Sequence, residues 1–331
     1  MKQSNKLISF RYSKRYFINT IRHFLNKKTF KGVKLNSHSH CPLCSSKEII
    51  KISEVDRIGF FCDTVVCGKC QLLFNNNFVS NPDFYYSKIW GTQRWISPEK
   101  NFKKRIAGNS YAFNRFFFVE GLLKNKFEKI KTVFEIGCGD GCNLYPYHRS
   151  NKEVFGFDYD MKFLEPGINT GMNLSTKKEV YFDKKYDLIL SIHSLEHMIN
   201  IDKQLENIVK MMKESSYLYI EVPGVYNNNL SYGKTLSEMG LRSSNNFLAY
   251  LQFQHNYHFT LDTLNAFCAR NGLELIYGDE WVRAIFVKSD RKSNFKNKNN
   301  NVDIIRHLKK AELDFLNPIV LSKKFFYRFF S

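Results

Sequence analysis

The sequence predicts an α/β chain in which a doubly wound, mainly parallel sheet with helices on both faces follows a small cysteine-rich unit. Three observations predict it. The run Thr132-Val133-Phe134 ends in Glu135 and meets glycines at 137, 139 and 141. A second apolar run, Val154 to Phe157, delivers Asp158 21 residues after Gly137 (158 − 137 = 21). Ahead of both stand two Cys-x-x-Cys pairs, Cys41/Cys44 and Cys67/Cys70, separated by 22 residues.

The cysteine pairs come first in the chain. Their spacing lets two turns converge as a tetrahedral four-thiolate zinc site, closed to catalysis, with the residues between running out and back as a hairpin. Thr64-Val65-Val66 and Leu72-Leu73-Phe74 are strand-like on either side of the second pair. Glycine often follows such a pair to supply positive φ, whereas Ser45 and Gln71 stand here. Cys62 reads as a packing residue. Residues 99–130 read as a helix, with Phe102, Ile106, Phe117, Leu122 and Phe127 near one face.

At the glycines the pattern is strand, tight turn and helix start. Glycine lets a backbone approach a ligand closely, and an acid ending the next strand can grip two ribose hydroxyls. The dinucleotide fingerprint requires glycine at 142, where Cys142 stands. Glu135, two residues before the first glycine, suits a ligand bearing an ammonium group and would repel pyrophosphate.

These residues resemble motif I of the class I S-adenosylmethionine-dependent methyltransferases. The family's later landmarks follow in order. Tyr186 to His197 resembles the fourth strand and its Leu-Glu-His turn. Tyr217 to Pro223 resembles the fifth strand, His258 to Leu264 opens a helix ending near Asn271-Gly272, and Leu273 to Tyr277 reads as the next strand. The resemblance implies a Rossmann-like, mainly parallel seven-stranded sheet. It also implies S-adenosyl-L-methionine held by Glu135, Gly137, Cys138, Gly139, Gly141 and Asp158. No acid clearly ends the third strand, where the family meets adenine; Asn173, Ser175 and Asp183 are the candidates.

With the cysteine unit in front, the chain over about 38–287 resembles zinc-ribbon methyltransferases of sugar and cell-envelope glycan pathways, which include deoxysugar C-methyltransferases. Asn81-Pro82-Asp83-Phe84-Tyr85-Tyr86 matches a further stretch of that group and offers Tyr85 and Tyr86 as ligand contacts. In those enzymes a Glu-His pair supplies the catalytic base, and Gln254-His255 stands at its place. His255 is therefore the expected base and His193 the second candidate, while His197 and His258 read as structural. Losing the glutamate favours O-methylation of a sugar, nucleotide-activated or within a glycan, over C-methylation of a ketosugar.

Charge separates the remaining classes. The net charge is +19, yet residues 131–287 carry 15 basic and 19 acidic side chains. An RNA methyltransferase needs a basic track across that region, so nucleic acid is disfavoured. A non-catalytic zinc-ribbon scaffold remains the other alternative. Residues 1–36 hold 10 basic and no acidic side chains, and residues 288–331 hold 11 basic and 4 acidic. Both contain amphipathic stretches suited to an anionic membrane surface. The paired cysteines fit a reducing compartment, so the expectation is a cytoplasmic protein, peripheral at the inner face of the membrane. The expected divisions are a basic segment (1–36), a zinc ribbon (37–80), a helical connector (81–130), the methyltransferase domain (131–287), and a basic linker and tail (288–331).

Overall fold

A computed structural model describes residues 32–56, 61–86, 97–108, 110–226, 251–290 and 304–309, with Pro318. Three short strands and a longer pair open the chain: β1 (Leu35–Ser37), β2 (Ile49–Val55), β3 (Phe61–Cys67), β4 (Leu73–Asn75) and β5 (Asn77–Val79). Helices α1 (Pro98–Arg105) and α2 (Tyr111–Leu123) follow. The main unit then runs β6 (Thr132–Ile136), α3 (Tyr145–Arg149), β7 (Glu153–Phe157), α4 (Met161–Ile168), β8 (Asn173–Ser175), α5 (Glu179–Phe182) and β9 (Tyr186–Ile192). It closes with α6 (Ile201–Met211), β10 (Met212–Glu221), β11 (Tyr257–His258), α7 (Leu261–Arg270), β12 (Leu273–Gly278) and β13 (Arg283–Lys288).

Seven of these strands form one sheet in the order β12-β13-β10-β9-β6-β7-β8. The five from β10 to β8 are parallel, while β13 runs antiparallel to both of its neighbours. Helices cover both faces, so the inner strands are apolar throughout; every residue of β9 except Asp187 is buried. The chain works outward from β6 through β7 to β8, then crosses back to lay β9 against β6. That reversal opens a crevice beyond the carboxyl ends of β6 and β9. This is the expected class I architecture, strand for strand, with β10 starting earlier than the Tyr217 read from sequence.

The cysteine module is an antiparallel sheet, β2-β3-β4, whose fourth strand comes from far along the chain. Tyr257 pairs with Phe74 and His258 with Leu73. The helical residues 304–309 also dock on this module, with Ile304 and Leu308 buried against Ile52, Val66 and Leu73. The amide of Ile304 donates to Gln71 Oε1 at 3.1 Å.

One expectation needs correcting. Residues 99–130 form two helices and a 3₁₀ segment, Lys124–Lys129, instead of one helix. The break after Ile106 resets the helical phase, so a stripe counted across it fails. Phe117 is consequently 56% exposed, while Phe116, Val119 and Leu123 take the buried face. The basic amphipathic stretches expected within 10–28 and 319–330, and the polar linker 292–301, lie outside the described residues. Among those described, no helix is long and apolar enough to cross a membrane.

Candidate functional site

The glycine turn is held to the next strand by its own backbone. The amides of Gly137 and Cys138 both donate to Phe157 O, at 2.8 and 3.0 Å. Gly137 has φ +70°, and a Cβ there would lie 2.4 Å from Ser194 Oγ, so both conformation and space demand glycine. Gly139 and Gly141 also have positive φ. The Gly139 amide donates to Asp158 Oδ2 at 2.8 Å, and Tyr159 N donates to Oδ1 at 2.7 Å. Asp158 is thereby fixed at the end of β7, beside the turn. Cys138 turns its thiol inward, where a Cβ on Gly156 would lie 2.7 Å from it, so only its backbone belongs to the turn.

Sequence pattern places a helix directly on the turn. The structure instead has turns from 139 to 144 and a five-residue α3. A phosphate-holding helix start is missing from this position, in keeping with a ligand that is not a dinucleotide.

Glu135 faces the crevice floor and is 1% exposed. Its Oε1 accepts from Asn143 Nδ2 at 2.8 Å, and its Oε2 has no hydrogen-bond partner among the described residues. Burial pushes its pKa up to about 8, against the opposing pull of Asn143 and Arg115. A buried carboxyl with one unused oxygen fits the ammonium group of an aminoacyl ligand. With the glycine turn and Asp158 it fits S-adenosylmethionine, which supplies an electrophilic methyl when bound.

Across the crevice, β9 is followed directly by His193, whose φ of +49° is a strained conformation for a side-chain-bearing residue. Its Nε2 lies 3.3 Å from Glu221 Oε1 and its Nδ1 3.6 Å from Glu196 Oε1. Burial opposes charge on this imidazole, but the two carboxylates outweigh it and hold the pKa up at about 9. Glu221 is gripped by Arg115 from α2 through two bonds, Nε to Oε2 at 2.9 Å and Nη2 to Oε1 at 2.7 Å. Tyr219 OH donates to Glu221 Oε2 at 2.8 Å. Burial raises the Glu221 carboxyl's pKa, yet Arg115 and His193 outweigh it and leave it well below the usual range. Arg115 also reaches Asn143 Oδ1 at 3.3 Å, so one polar chain runs Glu135–Asn143–Arg115–Glu221–His193. Arg115 and this role for Glu221 are not read from the sequence. A lone arginine amid Phe113, Phe116, Phe117 and Phe118 is the signal that points to it.

His255 stands on a turn built by the cysteine module. Asn75, fully buried at the end of β4, donates from Nδ2 to Gln252 O at 3.1 Å and to His255 O at 2.8 Å. Its own amide donates to Asn256 O at 2.9 Å, and Phe253 N donates to Asp56 Oδ2 at 3.0 Å. Asn256 Nδ2 in turn donates to His197 O at 2.7 Å. His255 is 5% exposed and sits edge-on to His197 with ring centres 4.8 Å apart. Gln254 O accepts from His197 Nδ1 at 3.0 Å. Burial pushes His258 down to about 3, and its backbone serves the β11–β4 ladder. Tyr86 OH lies 3.1 Å from His197 Nδ1 and its ring stacks on Tyr159, while Tyr85 is buried against Phe253.

The four cysteines expected as zinc ligands converge: their Sγ atoms all lie within 4.8 Å of one another. Cys41 and Cys70 are 3.4 Å apart and Cys44 and Cys67 3.5 Å apart. Zinc–sulfur bonds of about 2.3 Å put the thiolates of a tetrahedral site roughly 3.8 Å apart, so the set fits that ion. Ser45 and Gln71 take φ +56° and +61°. Their amides donate to Cys41 O and Cys67 O at 2.8 and 3.0 Å, closing both knuckles without glycine. Cys62 is fully buried, which pushes its thiol up, and Thr64 is its neighbour.

A methyltransferase-domain family matches residues 111–277. O-methyltransferase 3 of Dictyostelium discoideum is 26% identical over 162 residues, covering 43% of this chain and 36% of its own. A ubiquinone biosynthesis O-methyltransferase of Chelativorans sp. is 25% identical over 118 residues, covering 33% and 43%. The chain thus spans less than half the length of either relative. Among solved structures, magnesium protoporphyrin IX methyltransferase from Synechocystis, with bound S-adenosylhomocysteine, is 15% identical. It covers 62% of this chain and 97% of its own at a TM-score of 0.42. The chain belongs to the methyltransferase-domain family and has the class I fold.

Proposed function

We propose that the chain O-methylates a hydroxyl of a sugar, either nucleotide-activated or within a surface glycan. The observation that carries the reaction type is His193, held at the crevice mouth between Glu221 and Glu196 with 38% of its side chain exposed. Methyl transfer to a hydroxyl needs the acceptor in line with the methyl and a group to take its proton. In this reading Glu135, Gly137, Gly139, Gly141 and Asp158 hold the donor, and the neutral form of His193 takes the proton; with its pKa held up at about 9, the rate should climb with pH toward that value. Its exposure favours it over the buried His255. Two relatives carry O-methyltransferase names, which is consistent with an oxygen acceptor.

The sugar class rests on the zinc ribbon ahead of such a domain and on how closely Asn75 and Asp56 knit that module to the acceptor-side turn. Zinc at Cys41, Cys44, Cys67 and Cys70 is part of the proposal, as are the domain divisions given above. C-methylation is disfavoured because Gln254 cannot replace a carboxylate as proton acceptor. RNA is disfavoured by the excess of acidic over basic side chains across 131–287. Peripheral membrane contact through the basic tails is a further proposal; vesicles of anionic lipid should retain the full chain and release a chain lacking 1–31 and 319–331.

The test is transfer of labelled methyl from S-adenosylmethionine to a panel of nucleotide sugars and glycan extracts. Ether-linked label on a sugar supports the proposal, and label on RNA alone overturns it. His193→Asn should lower the rate by about 10²–10⁴, the usual worth of a positioned base.

A further inference from the structure

The Leu-Glu-His turn and the His255 turn meet in a cluster that methyl transfer from a sulfonium does not require. Glu196 is 1% exposed, yet neither carboxylate oxygen makes a hydrogen bond to any described residue. A carboxylate withdrawn from water without donors is costly unless a cation or proton meets it. The His193 imidazole, held protonated between Glu221 and Glu196, comes no closer than 3.6 Å to Oε1, leaving both Glu196 oxygens without a hydrogen bond.

His197 shows what is aimed at that carboxylate. Its Nδ1 lies 3.0 Å from Gln254 O, which only accepts, and 3.1 Å from Tyr86 OH, which can accept as well, so both contacts are met with the proton on Nδ1. The Nε2 lone pair then points into the cluster, 3.9 Å from Glu196 Oε1. Two acceptors facing each other call for something positive between them. His255 supplies a third donor atom, and the ligand atoms of Glu196, His197 and His255 all lie within 4.8 Å of one another. Bonds of about 2 Å to nitrogen and oxygen put ligand atoms roughly 3.4 Å apart around a tetrahedral ion, so modest side-chain rotation closes the set.

We propose that Glu196, His197 and His255 form a second metal site, binding a divalent transition cation at the acceptor side of the crevice. Two imidazoles and one carboxylate are a ligand set that suits zinc, manganese, cobalt or iron(II) and leaves coordination positions open. The second shell is already in place. Gln254 O orients His197, and Asn75 fixes the backbone of His255, the kind of outer-sphere support that tunes metal affinity. The site is distinct from the four cysteines, which are soft, closed and on a different part of the cysteine module.

The test uses the full chain with zinc retained at the cysteines after dialysis against a weak chelator. Cobalt(II) is then titrated in and followed by visible absorption and by elemental analysis. The expected result is one further equivalent of cobalt per chain, with bands of nitrogen and oxygen coordination and no thiolate charge transfer. Glu196→Gln and His255→Asn should each weaken that cobalt by at least about a hundredfold, since loss of outer-sphere support alone costs 10–100-fold. Both should retain affinity for S-adenosylhomocysteine, which reports an intact fold. Metal confined to the cysteines, or cobalt binding unchanged in Glu196→Gln, would overturn the proposal and leave a protonated Glu196 as what separates the two acceptors. If one variant fails to fold, the other and the wild-type stoichiometry still decide. Neither readout depends on methyl transfer, so this proposal and the sugar reading can fail separately.

Discussion

Glu135 carries a proton in the free protein at neutral pH, because burial holds its pKa up at about 8. An ammonium group docking on it favours the carboxylate, so binding expels that proton. The sign follows from linkage: affinity for S-adenosylhomocysteine rises as pH approaches about 8 and levels off above it. Calorimetry at pH 7 in two buffers of different ionisation enthalpy should show proton release, absent in Glu135→Gln. That variant should also bind about 10–100-fold more weakly, the worth of one charge-assisted hydrogen bond. Arg115 is the other residue on which the site turns. Arg115→Met removes both bonds to Glu221 and leaves that carboxylate, 13% exposed, with only Tyr219 and His193. A loss of roughly 2–3 kcal/mol is expected in denaturant unfolding, less than for a fully buried pair. Arg115→Lys should recover only part of it, because lysine keeps the charge and loses the fork.

Among the elements, β4 and the 252–256 turn act together through Asn75. Asn75→Ala deletes donors to two carbonyls and should cost about 1–3 kcal/mol. Affinity for S-adenosylhomocysteine should stay within about twofold while methyl transfer falls, since the donor half of the crevice makes none of these contacts; equal loss of both would argue against this division. Such links are also where sequence reading stopped. Strands β6, β7, β9 and β12 and helix α7 were legible because apolar runs and turn glycines, Gly272 among them, are local signals. The knuckle turns were legible in ligand spacing, although Ser45 and Gln71 hid their positive φ. The α1–α2 break was not, because a phase reset leaves apolar residues on both sides. Nor was the strand made by Tyr257 and His258, since pairing with Phe74 and Leu73 spans more than 180 positions and leaves no local trace.

For the whole molecule, the proposed function gives the crevice a donor wall from β6 and β7 and an acceptor wall shared by β9, β10 and the cysteine module. Stripping the cysteines with a strong chelator should therefore reach beyond the module, because β11 leads directly into α7. A drop in Tm of roughly 4–8 °C is expected for a loss of about 3 kcal/mol, with restoration on adding zinc. The donor half of the proposed site was readable from one glycine turn; on the other side His193, Glu196 and His255 were named from the sequence, whereas Asp56, Asn75 and Arg115 needed three dimensions. The most direct measurement is hydrogen exchange of the full chain with and without S-adenosylhomocysteine. Slowed exchange should concentrate at 135–144 and 157–160, with the 41–75 amides unchanged. Unaltered exchange through the glycine turn, or protection confined to the cysteine module, would contradict the account.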